Sequence, residues 1–460
     1  ARPPAGVTRA SRAAPPRAPR RAADVHRRVH AALAARAGDD RARSPSTSRV
    51  HAVTRTRTVA RPRAVRASPP GEPTLAARSG APQQRSVARE ALPAPAAARY
   101  RRRMTSLFTP FTLGRLALPN RVVMAPMTRS RATGNIANAL MATYYQQRAA
   151  AGLIITEGTS PSPNGLGYPR IPGVYSDAQI AGWRLVTDAV HHAGGRIFCQ
   201  LMHTGRVGHP HNLPDGARLL GPSAVAAPGT MYTDAAGPQA HPAPAEMTEA
   251  DLRAVIGEFA HAARAAIQAG FDGVELHAAN GYLLEQFLNT ASNHRTDGYG
   301  GSVAGRARLV REVAAATADA IGADRVGIRL SPYGVFNGMA PDAATDELYT
   351  TLTDALAATG LLYLHLVDHS SMGAPPVPAT LKAELRGRWK GAFLLSGGYD
   401  RARADAELAA GKGDLVAFGR PFLANPGLVD KLAHGGELRA PDMATFYTPG
   451  ERGYTDWPLT

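Results

Sequence analysis

From Leu107 onward the chain switches regularly between two hydrophobic periods. Short apolar runs of strand character fall at 122–127, 153–158, 196–202, 274–278, 326–330, 361–367, 393–396 and 415–418. Stretches of helical period lie between them. In the clearest, 177–192, Ile180, Trp183, Val186 and Val190 share one face and Gly194-Gly195 stops the helix. Further helices are expected at 138–151, 303–320, 345–358, near 378–387, at 400–411 and from Asn425, and Thr248-Glu249-Ala250-Asp251 opens one to Ala269 with an N-cap signature. A short hairpin is expected at 113–118, before the first strand. Eight strands alternating with helices over about 350 residues predict a parallel sheet closed into a (β/α)₈ TIM barrel. The Pro- and Gly-rich segment 203–247, after the third strand, is too long for a simple connection and reads as a functional loop insertion such as a lid.

The alternation also selects which polar groups collect at the C-terminal strand ends, where such barrels hold their chemistry: Thr128, Glu157, Gln200, His277, Arg329 and Arg420. In Val274-Glu275-Leu276-His277-Ala278-Ala279-Asn280-Gly281-Tyr282, Glu275 and His277 share a face. The strand then delivers His277, Asn280 and Tyr282 close together. That suits gripping a polarised oxygen with the first two and passing a proton with the third; the alternative is a strand end with three satisfied polar side chains. Arg329 faces inward and needs a partner, either Glu275 or the electron-rich edge of a cofactor. Gln200 is suited to bind a heterocycle or to satisfy a core carbonyl. Ser396-Gly397-Gly398 and Gly419-Arg420 end the last two strands, the usual phosphate position of a barrel, against the alternative of two tight turns with a surface Arg. No GxGxxG or Walker-type motif occurs in a strand–helix context, so a Rossmann-bound dinucleotide is not supported.

Composition divides the 460 residues in two. Residues 1–103 hold 24 arginines, no lysine and 5 acidic residues, a balance of +19. The remainder, with 29 basic and 31 acidic residues, balances at −2, so the whole-chain charge of +17 belongs to the first segment. That segment, rich in Ala, Arg and Pro, is expected to be disordered. It reads as a targeting presequence, a basic arm for nucleic acid, or upstream sequence that is not normally translated, the last favoured because Met104 precedes the change in composition. Residues 104–460 then form the catalytic domain, cytoplasmic unless 1–103 is a genuine transit peptide. Nucleic-acid binding would concern the tail alone. No apolar run approaches a membrane span. The single cysteine, Cys199, should face the helices as a structural thiol. His203, His209 and His211 follow no tight metal spacing and read as loop histidines. Residues 295–302 read as a structured loop capping the next helix.

Several stretches together resemble the old yellow enzyme family of flavin-dependent alkene reductases. They are Asn120-Arg121-Val122-Val123-Met124-Ala125-Pro126-Met127-Thr128-Arg129, Gln200-Leu201-Met202-His203-Thr204-Gly205-Arg206, the His277 stretch through Asn293-His294-Arg295-Thr296-Asp297, Val416-Ala417-Phe418-Gly419-Arg420-Pro421, and Gly453-Tyr454-Thr455-Asp456. Their order spans residues 107–458. The resemblance implies non-covalent FMN at the barrel mouth and NADPH or NADH as reductant. Thr128 would bond the flavin O4, and Pro126, Met127 and Gly158 would line the ring. Gln200 and Arg329 would take the pyrimidine edge, and Gly398, Gly419 and Arg420 the phosphate. His277 and Asn280 would bind the carbonyl or nitro oxygen of an activated alkene, with Tyr168, Met202 and Tyr447 around it. Tyr282 would protonate the α-carbon after hydride arrives at the β-carbon from flavin N5, in a ping-pong sequence.

Two departures bear on substrates. Met202 stands where many relatives carry Trp, which should reshape the pocket. Asn280 stands where many bacterial relatives have a second His. The competing readings are another FMN barrel oxidoreductase and a barrel scaffold with a nucleic-acid-binding tail. An α-hydroxy acid oxidase would want a late catalytic His beside substrate-binding arginines, which is not found.

Overall fold

A computed structural model describes residues 106–460; the boundary expected at 103, and everything expected of the basic segment before it, lie outside the described residues. Eight parallel strands close into a barrel in sequence order: β1 (Val122–Met124), β2 (Leu153–Ile155), β3 (Ile197–Leu201), β4 (Gly273–Ala278), β5 (Val326–Leu330), β6 (Tyr363–Val367), β7 (Ala392–Ser396) and β8 (Leu415–Phe418). The main crossover helices are α1 (Ala139–Gln146), α2 (Asp177–His192), α3 (Glu249–Gln268), α4 (Val303–Ile321), α5 (Thr345–Ala358), α6 (Ala379–Arg388), α7 (Arg401–Ala409) and α8 (Leu428–His434). The predicted TIM barrel is therefore present, and β5, β8, α2 and α5 keep their expected bounds.

Alternation sorts strand residues into two cores. Val123, Ala125, Leu153, Ile155, Phe198, Leu394 and Leu415 fill the barrel interior. Val122, Ile154, Cys199, Val274, Leu276, Ile328 and Val416 pack outward against helix residues such as Trp183, Phe259, Val310 and Leu352. Cys199 is thus a buried, helix-facing thiol as expected, and burial pushes it up to about 12. The hairpin Phe111–Leu113 with Leu116–Leu118 plugs the interior from below through Leu113 and Leu118.

Helix starts follow their caps. Ser176 with Gln179 and Thr248 with Asp251 form capping boxes on α2 and α3, and Ser302 caps α4 after the 295–302 loop. Strand eight ends differently from expectation. Arg420 opens a further short helix, Arg420–Ala424, with Pro421 at its first turn, rather than extending from the strand.

The chain's last segment is strapped to the first βα loop by buried arginines. Arg131 donates to the carbonyls of Arg129, Thr445, Phe446, Gly450 and Arg452. Arg129 donates to Phe446 O and Gly453 O, and Arg148 to Phe422 O and Leu423 O. Tyr454 stacks on Tyr144 with centroids 4.0 Å apart, beneath the guanidinium groups. Glu157 completes this cluster, accepting from Arg129 N and Tyr145 Oη. It is therefore part of a structural knot and not of the mouth. Burial raises it to about 7.

Candidate active site

The His277 stretch sits at the mouth because β4 ends there and the backbone then turns through two left-handed residues, Asn280 (φ 60°) and Gly281 (φ 76°). Asn tolerates this conformation better than most L-residues. At Gly281 a Cβ would lie 2.6 Å from Phe336 O, so only glycine fits. The turn is pinned from behind. Asn280 N–H donates to Ser331 Oγ (2.9 Å), Gly281 N–H to Glu285 Oε2 (2.5 Å), and Asn337 Nδ2 to Asn280 O (2.7 Å). Glu285 also accepts from Ser331 Oγ (2.6 Å) and Tyr349 Oη (3.1 Å). Burial raises this carboxyl to about 7, against the pull of those donors.

Tyr282 follows directly, at the N-cap of the short helix Leu283–Leu288. Its ring meets that of His277 edge-on at 4.9 Å, and its hydroxyl lies 3.1 Å from Tyr168 Oη. Burial pushes the Tyr282 phenol up to about 12. His277 is held well below the usual imidazole range by burial and by the nearby Arg329 charge, so it is neutral.

Three buried polar atoms at this mouth lack a protein partner: His277 Nδ1, Asn280 Oδ1 and Arg329 Nε. His277 and Arg329 are register partners on β4 and β5, so these groups adjoin one another. Unpaired buried groups are costly, and their concentration at one strand end marks a site completed by a ligand. One of the two partners expected for Arg329 is not in contact. Among the described residues Arg329 forms no ion pair. Glu275 instead accepts from Gln200 Nε2 (2.8 Å), Tyr363 Oη (3.1 Å) and His365 Nδ1 (2.8 Å). Arg329 feels Glu275 only as a nearby charge. The guanidinium remains available to an anion or a polar ring edge.

The remaining expected residues also gather at the mouth ends of the strands. Pro126, Met127 and Thr128 follow β1. Gly158 follows β2, where a Cβ would stand 2.4 Å from Met202 Sδ. Buried Met202 packs with Leu166 and Ile171, and Tyr168 and Tyr282 close over them. The insertion is not a bare loop. It carries the hairpin Thr230–Thr233 with Gly237–Ala240 and pairs Leu220–Gly221 with Ala245–Glu246. Its Val207, Ala227 and Met231 pack against the same two tyrosines. Arg295 ties it to the barrel by donating to Pro222 O and Met247 O. Half-buried Tyr447 comes from the strapped C-terminal segment, its carbonyl held by Arg170, and lies within electrostatic range of Tyr282.

On the far side, Ser396 pairs with Ala417 in the β7–β8 register, which sets Gly398 (φ 64°, exposed) beside Gly419 and exposed Arg420. A Cβ at Gly419 would rest 3.6 Å from Met127 Sδ, so this anion-suited corner adjoins the β1 end of the mouth. Among the described residues no group of His, Cys, Asp and Glu is arranged for a metal ion. Of the loop histidines, His203 is buried, its Nδ1 accepting from Gly205 N–H. Sequence reading missed Tyr363, His365, Glu285 and Ser331. The alternation Tyr363-Leu364-His365 signalled the first two; nothing local signalled the others.

Comparison with known proteins agrees with this geometry. A model of the NADH:flavin oxidoreductase / NADH oxidase family matches residues 106–439. Chanoclavine-I aldehyde reductase of Penicillium roqueforti is 43% identical over 369 residues, covering 78% of this chain and 97% of that protein. The "probable flavin mononucleotide-dependent alkene reductase" of Leishmania infantum is 40% identical over 358 residues, covering 77% and 97%. The solved structure of the old yellow enzyme homologue from Zymomonas mobilis superposes with a TM-score of 0.74 at 37% identity, covering 77% of this chain and all of that one. With barrel, motifs and relatives in agreement, the chain belongs to the NADH:flavin oxidoreductase / NADH oxidase family, the old yellow enzymes.

Proposed function

We propose that this chain is an FMN-dependent, NAD(P)H-driven ene-reductase that saturates the C=C bond of electron-poor alkenes: α,β-unsaturated carbonyls, maleimides and nitroalkenes. The observation that carries this reading is the unpartnered His277–Asn280 pair beside the Tyr282 phenol. The residues also suit FMN. Arg329 offers an unpaired donor to a pyrimidine edge, and Gln200, its amide N–H committed to Glu275, keeps its carbonyl oxygen for a ring N–H. Thr128 is half-buried and suited to the flavin O4, with Pro126, Met127 and Gly158 along the ring. Gly398, Gly419 and Arg420 form the phosphate corner. Bound FMN would supply the hydride, taken from NADPH or NADH and passed to the alkene β-carbon. Residues 104–460 are the catalytic unit in this reading, consistent with the extent of the family match.

His277, held neutral, and the Asn280 carboxamide each donate a hydrogen bond to the substrate oxygen, which draws electron density from the β-carbon. Tyr168 donates to Tyr282 Oη, which leaves the Tyr282 proton free for the α-carbon and steadies the phenolate that remains. A phenol raised to about 12 stays protonated at any working pH and suits a strongly basic carbon. Met202, Tyr168 and Tyr447 shape the pocket. Among the described residues no helix is long and apolar enough to cross a membrane.

The test is direct. Purified protein should be yellow, bleach with NADPH under anaerobic conditions, and recolour with cyclohexenone. A colourless product that takes up no FMN when supplied overturns the proposal.

A further inference from the structure

Beneath the mouth lies a buried carboxylate that the reaction does not use. Glu275 is wholly enclosed, yet each of its oxygens is addressed by a donor: Oε1 by Gln200, Oε2 by both Tyr363 and His365. The strands set this up by register. Gln200 pairs with Glu275 across β3 and β4, and Arg329 with His365 across β5 and β6. Gly327, the β5 partner of Glu275, carries no side chain, and a Cβ there would lie 2.1 Å from Tyr363 Cζ. The glycine is what lets the tyrosine ring cross to the carboxylate. Burial alone would protonate Glu275; His365, the Arg329 charge and Gln200 outweigh it and hold the group below the ordinary carboxylate value.

Two consequences follow from chemistry. A carboxylate only accepts, so the Gln200 carboxamide must turn its NH₂ toward Glu275 and its oxygen away. A fixed negative charge beside Arg329 also offsets part of the field that Arg329 projects into the mouth. We propose that Glu275 is a positioning residue of the flavin site: it orients Gln200 as an acceptor for the pyrimidine N–H and tempers the Arg329 charge that favours the reduced cofactor. The inference rests on the FMN reading above and adds to it the residue that sets affinity and potential without touching the ligand.

The experiment compares wild type, Glu275→Gln, Glu275→Asp and Tyr363→Phe, with thermal melts as the check on folding. Apoprotein is titrated with FMN by fluorescence, and the midpoint potential of the bound flavin is measured by dye equilibration. In Glu275→Gln the Kd for FMN should rise about tenfold, the worth of one charge-assisted hydrogen bond, and the potential should move positive. Glu275→Asp keeps the charge but shortens the reach, so its potential should stay near wild type while its Kd rises. Tyr363→Phe should leave the potential unchanged. A Glu275→Gln protein whose Kd lies within about twofold of wild type and whose potential is unmoved overturns the inference. Should that variant not fold, an unchanged Kd in Glu275→Asp does the same. If wild type itself takes up no FMN, the functional reading falls instead.

Discussion

Arg131 and Arg329 are both buried arginines on the mouth side of the same barrel, and they are treated in opposite ways. Every guanidinium nitrogen of Arg131 is committed, to five backbone carbonyls and the Thr448 hydroxyl, so its charge is spent on holding the C-terminal segment in place. Arg329 forms no ion pair among the described residues and leaves Nε bare. A saturated buried cation is structure, whereas an unsaturated one at a strand end is a prepared site. The same contrast holds for the histidines. His365 is engaged with Glu275, while His277 offers an unpartnered nitrogen to the mouth.

The sharpest way to break this comparison is to remove each cation. Arg131→Met should lower unfolding stability by about 3–5 kcal/mol, because it strands carbonyls that folding has desolvated; urea denaturation measures it, and a loss below about 1 kcal/mol would remove Arg131 from its structural role. On the functional side, Tyr282→Phe should slow the alkene half-reaction by about 10²-fold or more, the usual worth of a positioned general acid. Stopped-flow reduction by NADPH should be unchanged in that variant, and an alkene step at wild-type rate would refute the proton-donor role. Arg329→Leu should weaken FMN binding by about tenfold to a hundredfold while leaving the apoprotein's melting temperature level or higher. A stability loss like that of Arg131→Met would erase the distinction.

Two smaller effects refine it. Each region contains one buried carboxyl raised to about 7, Glu157 in the arginine knot and Glu285 behind Asn280. Because the folded value lies above the ordinary one, the stability each contributes is complete below the unfolded pKa and is lost as pH rises through about 7. The urea midpoint should therefore fall between pH about 5.5 and about 8.5, and fall less in Glu285→Gln. An equal fall would mean that Glu285 ionises normally. Smallest is Asn280→His, which exchanges one neutral donor for another and should change turnover by less than about fivefold. A larger loss would show that the left-handed turn cannot seat an imidazole.

How much of this was legible depends on the range of the interaction. The capping boxes of α2 and α3, the bounds of β5 and the outward aim of Cys199 are local facts of period and residue type, and they were readable. So was the assembly of His277, Asn280 and Tyr282, because six consecutive residues deliver them. The insertion was legible as an interruption but not as a hairpin packed on Tyr168 and Tyr282, since its apolar residues are too scattered to show a period.

Alternation by itself determined that Glu275, His277 and Arg329 point into the barrel, because a strand's period is a property of its own backbone. Which of them is satisfied was decided only by tertiary structure. Glu275 is claimed by Tyr363 and His365, some ninety residues away in the chain. Arg131 is claimed by carbonyls more than three hundred residues away. A hydrogen bond depends on the partner's position to within a fraction of an ångström, and only the closed barrel sets that position.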